Sequence, residues 1–304
     1  MKVVCITNDV EATTIQGKSY DEAVAQRVKN EALPITLRMY EEYGIKATFF
    51  CVAEMMEKEP EIIPVLQAAG HEVGCHGWIH DSDKAYDLLG LEDQVAHLKK
   101  AKTIIESQTG QPLLSFRAPA LRVNGFTAKA LKEAGYKYDS SVAPQRLDAF
   151  MSLGSNKMKQ WVGAPRTVYE AAENIIARRG KSGIIEVPVS AYGMPYVGTF
   201  IRICPWLTKV LHWILYWETK GNNKKVVTLL FHPNELIERH ESLNVIRRTK
   251  NPIKHFFAGK LRVWLKRRNF GPAAERLVRE EIAFWKSKGY EFCTVSEAAE
   301  KINQ

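Results

Sequence analysis

Gly74-Cys75-His76-Gly77-Trp78-Ile79-His80 sets two imidazoles four residues apart, directly after the short strand-like segment His71-Glu72-Val73. If the segment turns helically, His76 and His80 project from one face and can grip a single ion. A divalent metal suits such a pair. A site that keeps a position open for substrate usually adds a third protein ligand, often a carboxylate. Two histidines at this spacing are more often solvated or singly hydrogen-bonded than metallated, so the surrounding chain has to decide.

The nearest candidate acids lie at the N-terminus. Lys2 to Ile6 is apolar and β-branched like a buried strand, and it runs into Thr7-Asn8-Asp9-Val10-Glu11. On an extended backbone Asp9 and Glu11 share a face. Acids at the C-terminal end of a first strand stand where an α/β barrel places its chemistry; as plain solvated turn carboxylates they would mean nothing.

Strand and helix patterns then alternate. Helical patterns cover 21–43, 61–69, 91–108 and 127–134. Strand patterns cover 44–52, 72–74, 114–120, 136–138, 183–190 and 226–233. Such alternation indicates a mostly parallel sheet. Arg117, Asp139 and His232 each fall toward a strand's C-terminal end, which argues for a closed or nearly closed α/β barrel with its site on one rim. We read residues 1–304 as a single domain.

Composition narrows the setting. The five cysteines, Cys5, Cys51, Cys75, Cys204 and Cys293, are scattered, without C-x-x-C spacing, and read as reduced core thiols. Cys75 beside His76 is a weak ligand candidate, because its side chain should point away if the histidines face inward. The net charge is +9, and the nine Lys or Arg between Arg247 and Arg268, with no acid among them, account for all of it. The N-terminus enters a strand rather than a signal peptide, which sets an expectation of cytoplasmic residence.

In this order, Asp9/Glu11, His76/His80, Arg117-Ala118-Pro119, Asp139 and Leu230-Phe231-His232 resemble the five motifs of the NodB-like polysaccharide deacetylase family. The resemblance runs over essentially the whole chain. It implies a distorted (β/α) barrel of about seven strands. It further implies a metal-dependent amide hydrolase in which Glu11, His76 and His80 bind the ion and Asp9 is the base. By the same resemblance Arg117 pairs with that base, His232 is the acid, and Asp139 keeps the imidazole charged and oriented. Around Pro119, a backbone N–H at Ala120 faces the oxyanion. Gly77 stands where many members have Ser or Thr, and Ala120 replaces a frequent aromatic. The implied cofactor is a divalent metal, zinc first, with cobalt, nickel, manganese or iron accepted by the same donors.

Two segments exceed what such a barrel needs. The aromatic-rich stretch 191–225 contains Pro205-Trp206-Leu207 and Val210-Leu211-His212-Trp213-Ile214-Leu215-Tyr216-Trp217, too short and interrupted to span a bilayer. It could lie in an interface plane. The basic segment 247–268 interleaves Phe256-Phe257 and Trp264 with its cations, a mixture that suits anionic lipid headgroups. Either segment could equally pack as an ordinary helix or form a homo-oligomer contact.

The expected activity is removal of an N-acetyl group from an amino sugar. On the membrane reading the substrate is lipid-linked and the protein sits peripherally on an anionic cytoplasmic face. Deformylation of an amino sugar and hydrolysis of a cyclic amide remain open on the same fold. A catalytically inactive barrel that binds membrane or nucleic acid is the non-enzymatic alternative; nucleic acid is not expected, because one basic patch without a known module is usually something else.

Overall fold

Val3–Val10 is buried at all eight positions, as a strand covered on both faces must be, and forms β1. In the computed structural model, which describes residues 2–13, 20–144, 161–238, 264–265 and 267–303, β1 lies at the heart of a mainly parallel sheet. The other strands are β2 (Thr48–Cys51), β3 (Glu72–Cys75), β4 (Ser115–Phe116), β5 (Tyr138–Asp139), β6 (Tyr169–Glu170), β7 (Ile185–Glu186), β8 (Ala191–Tyr192), β9 (Met194–Pro195), β10 (Val227–Phe231) and β11 (Glu291–Phe292). The sheet runs β10-β1-β2-β3-β4-β5-β7-β6, and β11 pairs with the first residues of β1. Only β6 is antiparallel in it, and β8 and β9 form a separate hairpin. The described β10 and β6 do not pair, so the sheet curls into a distorted, open (β/α) barrel rather than a closed cylinder.

The helices are α1 (Glu22–Arg27), α2 (Leu33–Tyr43), α3 (Ala53–Lys58), α4 (Ile62–Ala68), α5 (Leu91–Thr109), α6 (Thr127–Glu133), α7 (Gly198–Ile203), α8 (Pro205–Lys220), α9 (Pro272–Ser287) and α10 (Val295–Asn303). The single helix expected over 21–43 is divided: a π-helical stretch, Val28–Ala32, separates α1 from α2. Pro34 has no N–H to give the carbonyl four residues back, and the wider register absorbs the gap. Several strands are shorter than their apolar runs. The run 114–120 pairs only at Ser115–Phe116, because beyond it the chain must leave the ladder to reach Pro119, which cannot donate to it.

All five cysteines are free, four of them buried and Cys204 half-buried. The 191–225 segment folds as the β8–β9 hairpin followed by α7 and α8. The inner side of α8 buries Leu211 and Leu215 in the main core, and His212 hydrogen-bonds Glu281 and stacks on Phe284 of α9 at 4.4 Å between ring centres. Among the described residues no helix is long and apolar enough to cross a membrane. Most of the basic segment 247–268 lies outside the described residues; Trp264, Leu265, Arg267 and Arg268 are its described part.

Candidate metal centre and its cleft

The parallel register delivers chemistry to one end of the sheet. Asp9 and Glu11 leave the C-terminal end of β1, His76 and His80 follow β3, Arg117 follows β4, Asp139 closes β5, Glu186 closes β7 and His232 follows β10. The two ligand-spaced histidines do not sit on a helix, as the i, i+4 argument required. They lie on an irregular loop after β3, with ring centroids 5.6 Å apart. Gly77 makes that loop possible: its φ is +80°, and a Cβ there would meet the Pro119 ring at 3.1 Å. The Ser or Thr found at this place in many relatives of the resembled family would be strained in this chain.

Glu11, His76 and His80 offer ligand atoms that all lie within 4.8 Å of one another. Glu11 Oε1 accepts from Thr13 Oγ1 at 2.9 Å, and Oε2 is 2.9 Å from His80 Nε2. The His76 Nδ1–H donates to the Arg117 carbonyl at 3.0 Å, which fixes the tautomer and aims Nε2 into the cleft. That Nε2 is buried without a hydrogen-bond partner among the described residues, 3.7 Å from Asp9 Oδ2 and 3.9 Å from Glu11 Oε2. A buried imidazole nitrogen left bare beside two carboxylates, with its partner nitrogen held by a carbonyl, fits a divalent cation. Cys75 is not part of the group; its sulfur lies in the core and accepts the Gly77 N–H at 3.3 Å.

Electrostatics separates the imidazoles. Burial pushes His76 down to about 4, against the pull of Asp9 and Glu11. Burial also acts to lower His232, but Glu11, Glu235 and Asp9 overcome it and hold the group up at about 9. Glu235 is itself resisted by burial and brought down to about 2 by the charges of Arg202 and His232. Its Oε1 lies 3.1 Å from His232 Nδ1, and its Oε2 accepts from Arg202 Nε at 2.7 Å. His232 Nε2, on the other side of the ring, is 3.9 Å from Glu11 Oε1.

This corrects one expectation. Asp139 does not serve His232; the carboxylate behind that imidazole is Glu235, three residues on along a 3₁₀ turn that begins at Pro233. Asp139 instead accepts from the Ser141 hydroxyl at 2.6 Å and stands level with Glu186 on the neighbouring strand. Burial raises both acids, Glu186 further through the charge of Asp139.

Arg117 is fully buried and every arm is used. Nη1 donates to Asp9 Oδ1 at 2.9 Å and Thr7 Oγ1 at 2.7 Å, Nε to the Ser140 carbonyl at 2.9 Å, and Nη2 to Ser140 Oγ at 2.7 Å. Asp9 is thereby clamped with one oxygen on the guanidinium and the other toward His76. Past Pro119 the backbone is strained: Ala120 and Leu121, neither a glycine, both have φ of 54°, at a cost of about 1–3 kcal/mol each. Ala120 lies at the cleft's exposed edge, and the turn's own bonds run from Leu121 N–H to Ala118 O and from Arg122 N–H to Pro119 O.

Sequence reasoning missed Glu235, Arg202 and Glu186 as members of the cluster. Glu235 had a local signal, His-Pro-x-Glu, in which proline starts a tight turn that returns the acid to the histidine. Arg202 had none, since it arrives from α7. Gly198, at the start of α7, lets that helix in: a Cβ there would sit 2.5 Å from Glu235 Oε2 and 2.7 Å from Phe231 Cβ.

Comparison with known proteins agrees with this arrangement. Residues 17–138 match the family model described as polysaccharide deacetylase. A peptidoglycan deacetylase of Helicobacter pylori is 31% identical over 110 residues, 36% of this chain and 36% of that protein. A peptidoglycan-N-acetylglucosamine deacetylase of Bacillus cereus is 31% identical over 104 residues, 34% of this chain and 47% of that one. These curated relatives are thus matched over less than half their length. Among solved structures, a Mycobacterium smegmatis protein described as a polysaccharide deacetylase superposes with a TM-score of 0.60 at 20% identity, over 99% of this chain and 90% of that one. An allantoinase shares the fold equally well, with a TM-score of 0.61 at 15% identity over 98% and 89%. The stretch similar to the polysaccharide deacetylase family contains His76, His80 and Arg117, and the likeness of fold continues beyond it on both sides.

Proposed function

We propose that the protein is a metal-dependent N-deacetylase that hydrolyses the acetamide of an amino sugar in a glycan. The observation that carries the reading is the placement of Asp9 and His232 beside the Glu11, His76 and His80 group, 3.7 Å and 3.9 Å from its members. Glu11, His76 and His80 would hold the divalent ion, which when bound polarises an acyl oxygen and acidifies water.

The chain's own residues supply the rest. Asp9, oriented by Arg117, accepts the proton of the attacking water through Oδ2. The backbone N–H at Ala120, presented by the strained turn after Pro119, faces the oxygen on which negative charge develops. His232 gives its Nε2 proton to the leaving nitrogen, so the C–N bond breaks to a free amine and acetate. Glu235 and Arg202 hold the imidazole charged until then.

The relatives' names, peptidoglycan and chitin deacetylases, support an N-acetylated amino sugar as the substrate class. Within that class we propose a lipid-linked saccharide, a reading supported by the tryptophans exposed along α8. The test is acetate release, by purified protein of measured metal content, from chitin oligosaccharides, peptidoglycan and lipid-linked amino sugars. Acetate from any of them, abolished by a chelator and restored by metal, supports the reading. Formate release from N-formyl substrates alone would change the acyl group, and no turnover by metal-replete protein on any of them would remove the assignment.

A further inference from the structure

The outer face of α8 is unlike the rest of the described surface. Trp206, Val210, Trp213 and Trp217 are 70%, 49%, 47% and 63% exposed. At 100° per residue they fall within about 60° of arc, in a stripe about 17 Å long. The remaining exposed positions of the helix are Lys209 and Lys220. The helix's own acid, Glu218, is turned aside to Arg166 at 2.6 Å and 2.7 Å, and Glu280 of α9 comes within 3.8 Å of Lys209 at the edge of the face.

Lysines also come onto the rings. Lys220 Nζ lies 4.6 Å from the Trp217 ring centre, and Lys288 Nζ lies 4.8 Å from that of Trp213. The basic segment ends at the same place. Asn269 Nδ2 donates to the Arg202 carbonyl at 2.7 Å, and Arg202 Nη1 to the Arg268 carbonyl at 2.7 Å, which ties the end of that segment to α7 just before Trp206. Trp264, 58% exposed, and the exposed Arg267 and Arg268 belong to this end.

We propose that this face of α8, continued by Trp264, Arg267 and Arg268, is a docking surface for an anionic lipid bilayer, with the indoles at headgroup depth and the lysines and arginines on lipid phosphates. Indoles favour that depth because they are apolar in body and polar at one edge. Each cation near an anionic surface adds about 1 kcal/mol. A glycan-binding face would need acids or amides beside the rings to take sugar hydroxyls, and the charged groups set against these rings are lysines. A two-fold contact with a second copy would bring together two faces that both carry exposed lysines, Lys209 and Lys220. The inference does not depend on the deacetylase reading.

The test is co-sedimentation of the full chain with phosphatidylcholine vesicles, with and without phosphatidylglycerol, at low and high salt. Variants are Trp206→Ala/Trp213→Ala/Trp217→Ala and Lys209→Glu/Lys220→Glu; all five side chains are exposed, and unchanged circular dichroism and metal content confirm the fold. Expected are binding to the anionic vesicles that salt weakens, a loss of at least tenfold in the tryptophan variant, and a weakened, less salt-sensitive association in the lysine variant. Quenching of tryptophan emission by brominated acyl chains should be present in wild type and largely lost in the tryptophan variant. Absence of wild-type binding overturns the proposal, as does undiminished binding by the tryptophan variant, which would assign vesicle binding to the basic segment alone. A concentration-dependent dimer, or chitin-oligosaccharide binding, lost in that variant without any vesicle binding, would assign the face to a second copy or to a glycan and equally overturn it. Acetate release from a soluble substrate, measured in parallel, keeps failure here separate from failure of the proposed activity.

Discussion

His76 and His232 each bring Nε2 to 3.9 Å from an oxygen of Glu11, yet they are shifted in opposite directions. His76 is pushed down to about 4 and His232 up to about 9, although burial acts to lower both and Asp9 and Glu11 act to raise both. They differ in their charged neighbours, His80 and Arg117 also lowering His76, and in the partner behind Nδ1. A neutral backbone carbonyl stands behind His76, and a carboxylate anchored by Arg202 stands behind His232. On the proposed mechanism the contrast assigns part of each imidazole's role to the group behind it, a carbonyl suiting a neutral ligand and an ion-paired carboxylate suiting an acid.

The largest expected effect breaks the neutral side. His76→Ala with His80→Ala should abolish metal binding in elemental analysis and lower kcat/KM by about 10⁴-fold or more, since both the polarised acyl oxygen and the activated water are lost together. Metal retained by this variant would place the centre elsewhere. Next come the two proton-handling groups. Asp9→Asn and His232→Ala should each lower kcat by about 10²- to 10⁴-fold with metal content unchanged. Loss of metal from either variant would mean that the roles of ligand and proton carrier are exchanged.

Glu235→Gln tests the comparison itself. Removing the charge behind His232 lowers its pKa, so the alkaline limb of the kcat/KM profile, where the acid loses its proton, should move to lower pH by about one unit or more, with activity at the optimum down about tenfold. An unmoved limb would show that the support comes from Glu11 and Asp9 rather than from behind the ring.

The smallest effect concerns a third imidazole, His71, outside the cleft, which burial pushes down to about 4. Its folded-state value lies below the unfolded one, so between about pH 6.5 and 4 the unfolded chain binds the extra proton. Stability contributed by neutral His71 is therefore present above pH 6.5 and lost as pH falls toward 4, by no more than about 3 kcal/mol and less after screening. Denaturant titrations of wild type and His71→Gln across that range should show the variant with the shallower pH dependence.

Residue types at strand ends were readable because parallel strands leave all their C-terminal ends on one rim, and Asp9, Glu11, His76, His80, Arg117 and His232 do meet there. Local geometry was read less well. The histidine pair suggested a helix, and the structure uses a loop whose turn depends on Gly77, information carried by sterics rather than by periodicity. Asp139 was assigned to the wrong partner because strand order alone does not tell which acid faces which base; its neighbour across the sheet is Glu186, and that pairing exists only once β5 and β7 are in register. Arg202 reaches the cluster through helix packing, which no short-range pattern encodes.

Gly198 bears on how this protein could be re-engineered. The 191–225 stretch reads as an addition to a barrel that is complete without it, the kind of segment one would trim or exchange to transplant specificity. Its first helix instead touches the carboxylate behind His232 so closely that a single methyl group at position 198 would collide with Glu235. The accessory and the carboxylate behind His232 are therefore packed as one unit. Chimeras that cut between them should lose turnover even when every residue of the five motifs is retained, and a successful graft must carry Gly198, Arg202 and Glu235 together.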